Sequence, residues 1–201
     1  MTTDMTGPPS VPPRERIVHS AMALICAQGV HGTGMREVVR HADAPRGSLQ
    51  HYFPQGKEQL VREALELAGR TAARTVSRLQ DTGASVRPSD VFGAMVSAWR
   101  RWLTDSDYAQ GCPVVATVAD ATVGSPALRK AAADTFGTWQ TAVEQALAQA
   151  GVPAGRTASL AALLLSALEG AIVMARARRS LEPLDTVLAE LAPLLDATAA
   201  A

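Results

Sequence analysis

Residues 36–53 read REVVRHADAPRGSLQHYF. Met35, Val38, Val39 and Ala42 recur at i, i+3, i+4 and i+7, which predicts a short amphipathic helix from about Gly34 to Ala42. Asp43-Ala44 is the joint. It needs a residue that tolerates left-handed backbone, and Asp43 supplies one less easily than glycine. A second short helix follows over Pro45–Phe53, with Leu49 and Phe53 turned inward, and Pro54-Gln55-Gly56 ends it. Two short helices on a tight turn form a helix–turn–helix.

The second of these helices carries the strongest chemistry. Arg46 suits bidentate contact with guanine and Gln50 with adenine, and Ser48 can donate or accept. Gly47 lets the backbone approach closely. His51, Tyr52 and Lys57 suit phosphate oxygens, and Lys57 also opens the next helix, whose amides favour an anion. Thr33 is placed to cap the preceding helix while facing phosphate, and Pro45 completes the candidate set. Periodicity alone leaves open a plain amphipathic helix in a bundle.

Outward from this stretch the helical period continues. A first helix is expected over Pro13–Gln28, with Ile17, Ala21, Leu24, Ile25 and Gln28 on one stripe and Gly29 as its stop. Beyond Gly56, helices are expected over about 57–79, 89–104, 113–122, 126–150, 154–180 and 183–197, with a turn over 81–88. This is an all-α chain of about nine helices: a three-helix head over 14–56, a body over 57–201 and a disordered tail over 1–13 rich in Thr, Gly and Pro.

Composition agrees. The chain has 201 residues, is 47% apolar and has no net charge, so any DNA-binding surface is local. Cys26 and Cys112 are too few for a disulfide framework and read as buried thiols. Met1–Pro13 lacks the apolar centre of a signal peptide, so a cytoplasmic location is expected. Ala158–Ala175 is apolar enough to raise the question of a membrane, but Glu169 near its middle favours a buried or interface helix. His19, His31, His41 and His51 lack zinc-ligand spacing, so no metal is expected. No nucleophile elbow, phosphate loop or dinucleotide fingerprint points to an enzyme, and no cofactor is implied.

The segments Gly29–Val39, Ala42–Phe53 and Gly56–Leu60, within a pattern covering about Arg14–Leu60, resemble the head of the TetR/AcrR repressor family. Pro45–Leu49 and Gly111–Pro113 resemble its LmrA/YxaF-like branch, often tied to drug-resistance or efflux genes. The resemblance implies a homodimer that reads a pseudo-palindromic double-stranded operator with the helix beginning at Pro45, contacts phosphate around Thr33, Tyr52 and Lys57, and is released by a small ligand. Three positions depart from the family pattern: Gln50 replaces a usual Tyr, Gly34 a usual capping Ser or Thr, and Asp43 the usual turn Gly. A helical ligand-binding module without DNA readout is the alternative.

In the body, Trp99, Trp102, Tyr108, Phe136 and Trp139 lie on helices that line the ligand cavity in that family. Cys112, Val115, Val118 and Met174 are placed with them. Aromatic walls suit a flat, apolar or aromatic ligand or a cationic one. For a cation, Glu169 and Asp120 are the candidate acids, each equally readable as a surface or packing residue. Filling of the core is the other reading of these side chains. The dimer interface is expected on the last two helices, at Ala161, Leu164, Leu165, Leu168 and Ile172, and at Leu184, Leu188, Leu191 and Leu195. Packing inside one subunit is the alternative. Arg176, Arg178 and Arg179 read as a solvated helix end that complements the dipole.

Overall fold

The computed structural model describes residues 11–45, 47–80 and 86–199. Arg46, the expected tail up to Ser10 and positions 81–85 of the expected turn lie outside them. The described residues form nine α-helices and no strand: α1 Pro13–Gly32, α2 Met35–His41, α3 Ser48–Tyr52, α4 Lys57–Gln80, α5 Pro88–Asp105, α6 Pro113–Ala121, α7 Pro126–Gln149, α8 Ala154–Arg178 and α9 Glu182–Ala199. The all-α expectation holds, and most boundaries shift by a few residues.

The shifts have local causes. α1 continues past its expected stop, but Gly29 leaves helical geometry (φ 76°, ψ 176°) and kinks the helix there. Gln28 does not join the buried stripe, because its amide turns outward to Gly32 O and Glu37. α3 begins at Ser48, three residues after Pro45, whose carbonyl accepts the Ser48 N–H at 2.9 Å. α7 starts where Ser125 Oγ accepts the Leu128 N–H at 3.1 Å, with Pro126 following it at the favoured first position.

The buried residues form two clusters. One gathers α1, α2, Phe53 and the first half of α4 (Leu60, Val61, Ala64, Leu65) with Cys112, Val114 and Ala121 of the α6 region and Leu128, Ala131 and Ala132 of α7. The other joins the end of α4, α5, the rest of α7, α8 and α9. Trp99 and Phe136 pack against both. The head core therefore runs across the expected division at residue 56 and draws on α6 and α7. Each fully buried Leu, Ile or Phe in it contributes roughly 1.5–3 kcal/mol.

α8 is long and apolar enough to cross a membrane by length and composition. One face of it packs on α7 and α9 and carries the buried Glu169. The end of α8 is not simply solvated. Arg176 reaches Tyr108 O and Ala109 O at 3.3 and 2.9 Å, and Arg179 pairs with Asp107 at 2.7 Å. These two arginines fasten α8 to the loop after α5, and Arg178 bridges to Glu182 at 3.5 Å.

Candidate nucleic-acid interface and ligand cavity

Phe53 is buried among α1 and α4 residues and anchors α3. Arg14 helps hold it, with its guanidinium 5.7 Å from the ring centre and an ion pair to Glu63 at 2.8 Å. Asp43 adopts φ +47°, the left-handed geometry expected of the turn. Arg16 clamps that turn by donating to Ala42 O at 3.0 Å and Asp43 O at 2.7 Å. Sequence reasoning missed both arginines, because an exposed Arg on a first helix carries no periodic signal.

On this frame Pro45, Gly47, Gln50 and His51 are exposed, and Ser48, Tyr52 and Lys57 are half-buried. His51 and Tyr52 stack edge to face at 4.8 Å. Together they present one polar surface along the turn and α3. Thr33 does not join it. Its side chain is 3% exposed and its hydroxyl donates to Gly29 O at 2.7 Å, so it braces the α1 kink. The cap of α2 is Gly34, with no side-chain hydrogen bond, which corrects the expected capping and phosphate-facing role of Thr33.

The head meets the body at His31 and Asp120. The His31 N–H donates to Asp120 Oδ2 at 2.6 Å, and the ring Nδ1 meets Oδ1. The backbone N–H of His31, then its ring, hold the Asp120 carboxyl below its ordinary range. Gly111 N donates to Cys26 O at 2.9 Å and ties the start of the α6 region to α1.

The aromatic residues expected to line a pocket separate. Trp99 and Trp102 line a cavity of about 130 Å³ between α1, α4 and α5, together with Met22, Cys26 and Pro113. The α4 contribution, Ala68, Thr71, Ala72 and Thr75, was not anticipated, because small residues on a helix read as generic. Trp139 is buried in the second core cluster, where Tyr108 and Phe136 pack against it, and Val115 packs in the first. Cys112 is buried beside Glu169. Val118 and Met174 are 45% and 46% exposed and do not line the cavity. The helical phase of α6 and α8 turns both outward. Larger hollows exist, among them an open groove of about 640 Å³ between α1 and α4, but it is lined mostly by arginines and glutamates and is not an apolar ligand site.

The Trp102 Nε1–H at the cavity wall, the Trp139 Nε1–H and the Glu169 carboxylate are buried with no nitrogen or oxygen partner among the described residues, and the Cys112 thiol is the group that reaches that carboxylate. Burial pushes the Glu169 carboxyl up to about 7, with the Cys112 thiol pulling the other way. Burial also pushes the Cys26 thiol up to about 12 and Cys112 well above its usual value. Both thiols are protonated and poorly nucleophilic.

Seven of the nine expected interface residues face inward. Ala161, Leu164, Leu165, Leu168, Ile172, Leu184 and Leu195 are buried inside one subunit, while Leu188 and Leu191 are half-buried. Their periodicity marked the internal core. The outward face of α8 carries Leu163 and Val173, 48% and 52% exposed, beside Met174, Ser166 and Gly170. On α9, Leu194 is 65% exposed.

Residues 17–64 match the model of bacterial regulatory proteins of the tetR family. Residues 88–190 match that of the transcriptional regulator LmrA/YxaF-like C-terminal domain. The chain is 38% identical over 189 residues to the uncharacterized HTH-type transcriptional regulator Rv0196 of Mycobacterium tuberculosis, covering 91% of this chain and 94% of that protein. It is 28% identical over 182 residues to the uncharacterized HTH-type transcriptional regulator YxaF of Bacillus subtilis, covering 90% and 94%. Its fold superposes on a TetR transcriptional regulator of Legionella pneumophila with TM-score 0.80 at 19% identity, covering 92% and 98%. The chain belongs to the TetR family of bacterial transcriptional regulators, in its LmrA/YxaF-like group, and is a DNA-binding regulator rather than an enzyme.

Proposed function

We propose that the chain is a cytoplasmic, homodimeric repressor released from a pseudo-palindromic operator by a small apolar or aromatic ligand, and that it controls a resistance or efflux gene. The observation that carries the DNA-reading part is the exposed edge of α3, with Gly47, Gln50 and His51 outward over a buried Phe53. Arg46, in the same segment, supplies the guanine contact, and Tyr52 and Lys57 steady the backbone. Gln50, in place of the family tyrosine, reads a base.

Dimerisation uses the outward face of α8, where Leu163, Val173 and Met174 flank Ser166 and Gly170, together with the exposed part of α9 around Leu194. Small residues between large apolar ones let two helices approach closely, and a two-fold axis repeats the patch on itself. The two α3 helices then enter successive major grooves about 34 Å apart.

Ligand in the body favours a head spacing that no longer fits. It acts through its differential affinity for the two states, typically about 1–3 kcal/mol, or roughly 5–150-fold in operator affinity. The cavity against α1 and α4 and the His31–Asp120 link between α1 and α6 offer a route between ligand and head. The test is selection of bound duplexes from a random pool at near-physiological salt. A two-fold symmetric site is the expected result. A folded dimer that enriches nothing would instead be a ligand-binding module without DNA readout.

A further inference from the structure

Among the described residues four non-glycine positions have left-handed backbone, and three of them meet at one contact. Asp107 (φ 49°) and Tyr108 (φ 60°) follow each other in the loop after α5, and Arg179 (φ 51°) caps α8. Such geometry is unfavourable for side chains as large as Tyr and Arg, and it persists only where neighbours impose it. Here two arginines of α8 impose it. Arg176 donates to Tyr108 O at 3.3 Å and to Ala109 O at 2.9 Å. Arg179 donates to Asp107 O at 3.2 Å, pairs with the Asp107 carboxylate at 2.7 Å and stands 5.8 Å from the centre of the Tyr108 ring. Three consecutive loop carbonyls are thus turned onto the end of one helix.

The same loop runs on to α1. Gly111 packs so closely on Arg176 that an added Cβ would lie 2.6 Å from its Nη1 and 2.9 Å from its Cδ. The Gly111 N–H donates to Cys26 O of α1 at 2.9 Å. Pro113 begins α6 two residues later, and Asp120, near the other end of α6, holds His31. The α6 segment is therefore bonded to α1 at both ends, and its first end is also held by α8. Complementing the α8 dipole needs only a nearby cation. It does not need two guanidinium groups fixed on the carbonyls of a neighbouring loop.

We propose that Arg176 and Arg179 are positioning residues for DNA reading: they tie α8 to the loop 107–111 and, through Gly111 and Cys26, set the angle at which α1 carries the helix–turn–helix. The proposal rests on the reading of the chain as an operator-binding dimer joined through α8, and it names the side chains that pass the placement of α8 to the head. With both arginines in place, Asp107 and Tyr108 stay left-handed and Gly111 stays on Cys26. Without them the two residues relax to ordinary backbone geometry, the loop carbonyls turn away, and the start of α6 shifts against α8. A head whose angle wanders still folds and still fits one half-site. Two such heads match two half-sites in only a fraction of the dimers, and operator affinity falls by that fraction.

The test measures the placement of the head within one subunit. Spin labels go on the exposed positions Arg40→Cys of α2 and Gln145→Cys of α7, in full-length protein diluted with excess unlabelled chain. Cys26 and Cys112 are buried thiols and poor targets for the label. The parent protein is expected to give one narrow distance. Arg176→Met/Arg179→Ala is expected to broaden or shift it and to weaken full-operator binding at least about tenfold, within the roughly 5–150-fold typical of such coupling. Affinity for a half-site duplex stays the same. Arg179→Lys, which keeps a cation on Asp107, retains the parent distance. Gly111→Ala displaces Arg176 from the loop side and is expected to broaden the distance too, so the test stands if the double variant fails to fold. A lower melting temperature with the distance unchanged, or equal loss of half-site and full-site binding, overturns the proposal. So does a changed distance with full-operator affinity unmoved. A changed distance in a chain that selects no operator upholds the tie between α8 and the head and refutes the operator reading alone.

Discussion

His31 and Asp120 are joined twice across the junction of head and body, through the backbone N–H at 2.6 Å and through the imidazole Nδ1. Asp120 sits near the end of α6, the shortest body helix, and His31 lies just past the α1 kink. Because these bonds hold the Asp120 carboxyl below its ordinary 3.8, they stabilise the native state above that pH. The stabilisation is lost as pH falls through the lowered value. Asp120→Asn should cost about 1 kcal/mol at neutral pH, the scale of a hydrogen bond to a partly exposed charged group. It should also flatten the fall of stability in acid. Melting curves from neutral to acid pH check both.

Gly29 makes the same junction possible. Its φ of +76° is left-handed, and an added Cβ would stand 2.9 Å from Asp120 Oδ2. With ψ at 176° this is a conformation essentially restricted to glycine, so Gly29→Ala should destabilise by about 1–3 kcal/mol from the backbone alone, with the clash adding to it. In Gly29→Ala/Asp120→Ala the steric part is relieved and the backbone part remains. Denaturant midpoints of the two singles and the double measure that coupling.

The buried carboxyl has the opposite pH sign. Unfolded, Glu169 ionises near 4.5; folded, near about 7. Between those values the native protein keeps a proton that the unfolded chain has released, so stability falls as pH rises through that window and levels off above it. The full change is roughly 3 kcal/mol, at about 1.4 kcal/mol per unit. Glu169→Gln should remove most of this slope, which urea titrations across the window would detect.

Two apolar substitutions on α8 should separate fold from assembly. Val173→Asp places a charge on the outward face and should yield a folded monomer with much weaker operator binding. Leu168→Ala opens the internal core and should cost about 2–5 kcal/mol, while the dimer forms normally below its lower melting temperature. Sedimentation and thermal melts distinguish the two.

Lys57, half-buried at the start of α4, is expected to meet phosphate. Lys57→Ala should weaken binding to all duplexes alike and reduce the slope of log affinity against log salt by about 1. Gln50→Ala should instead relax sequence preference at one base pair. Salt-dependent binding to operator and to random duplex checks the pair.

The helices were legible because period 3.6 repeats along nearly the whole chain, and the turn because Asp43 had to be left-handed. The direction of a face was harder to read. Leu164, Leu168 and Ile172 form a good apolar stripe, but periodicity does not say whether a stripe meets its own subunit or another. The exposed Leu163 and Val173 were hidden because α8 is apolar almost all round. Thr33 read as a cap from its position, whereas the kink at Gly29 claimed its hydroxyl. Glu169 and Asp120 could be named as acids but not placed, since partners far along the chain determine what surrounds each of them.

Leu60 and Leu65 of α4, Val114 of α6 and Leu128 of α7 share one packed interior with α1 and Phe53. The DNA-reading segment is therefore no detachable cassette. A fragment ending at Gly56 would forfeit much of what Ile17, Ile25 and Phe53 rest on, and a chimera spliced there would pair one protein's reading helix with another's foundation. On the proposed reading, operator preference is expected to be exchangeable at the outward Gln50 of α3, an exposed side chain, without disturbing this interior. Exchanging the whole head also requires the facing residues of α4, α6 and α7.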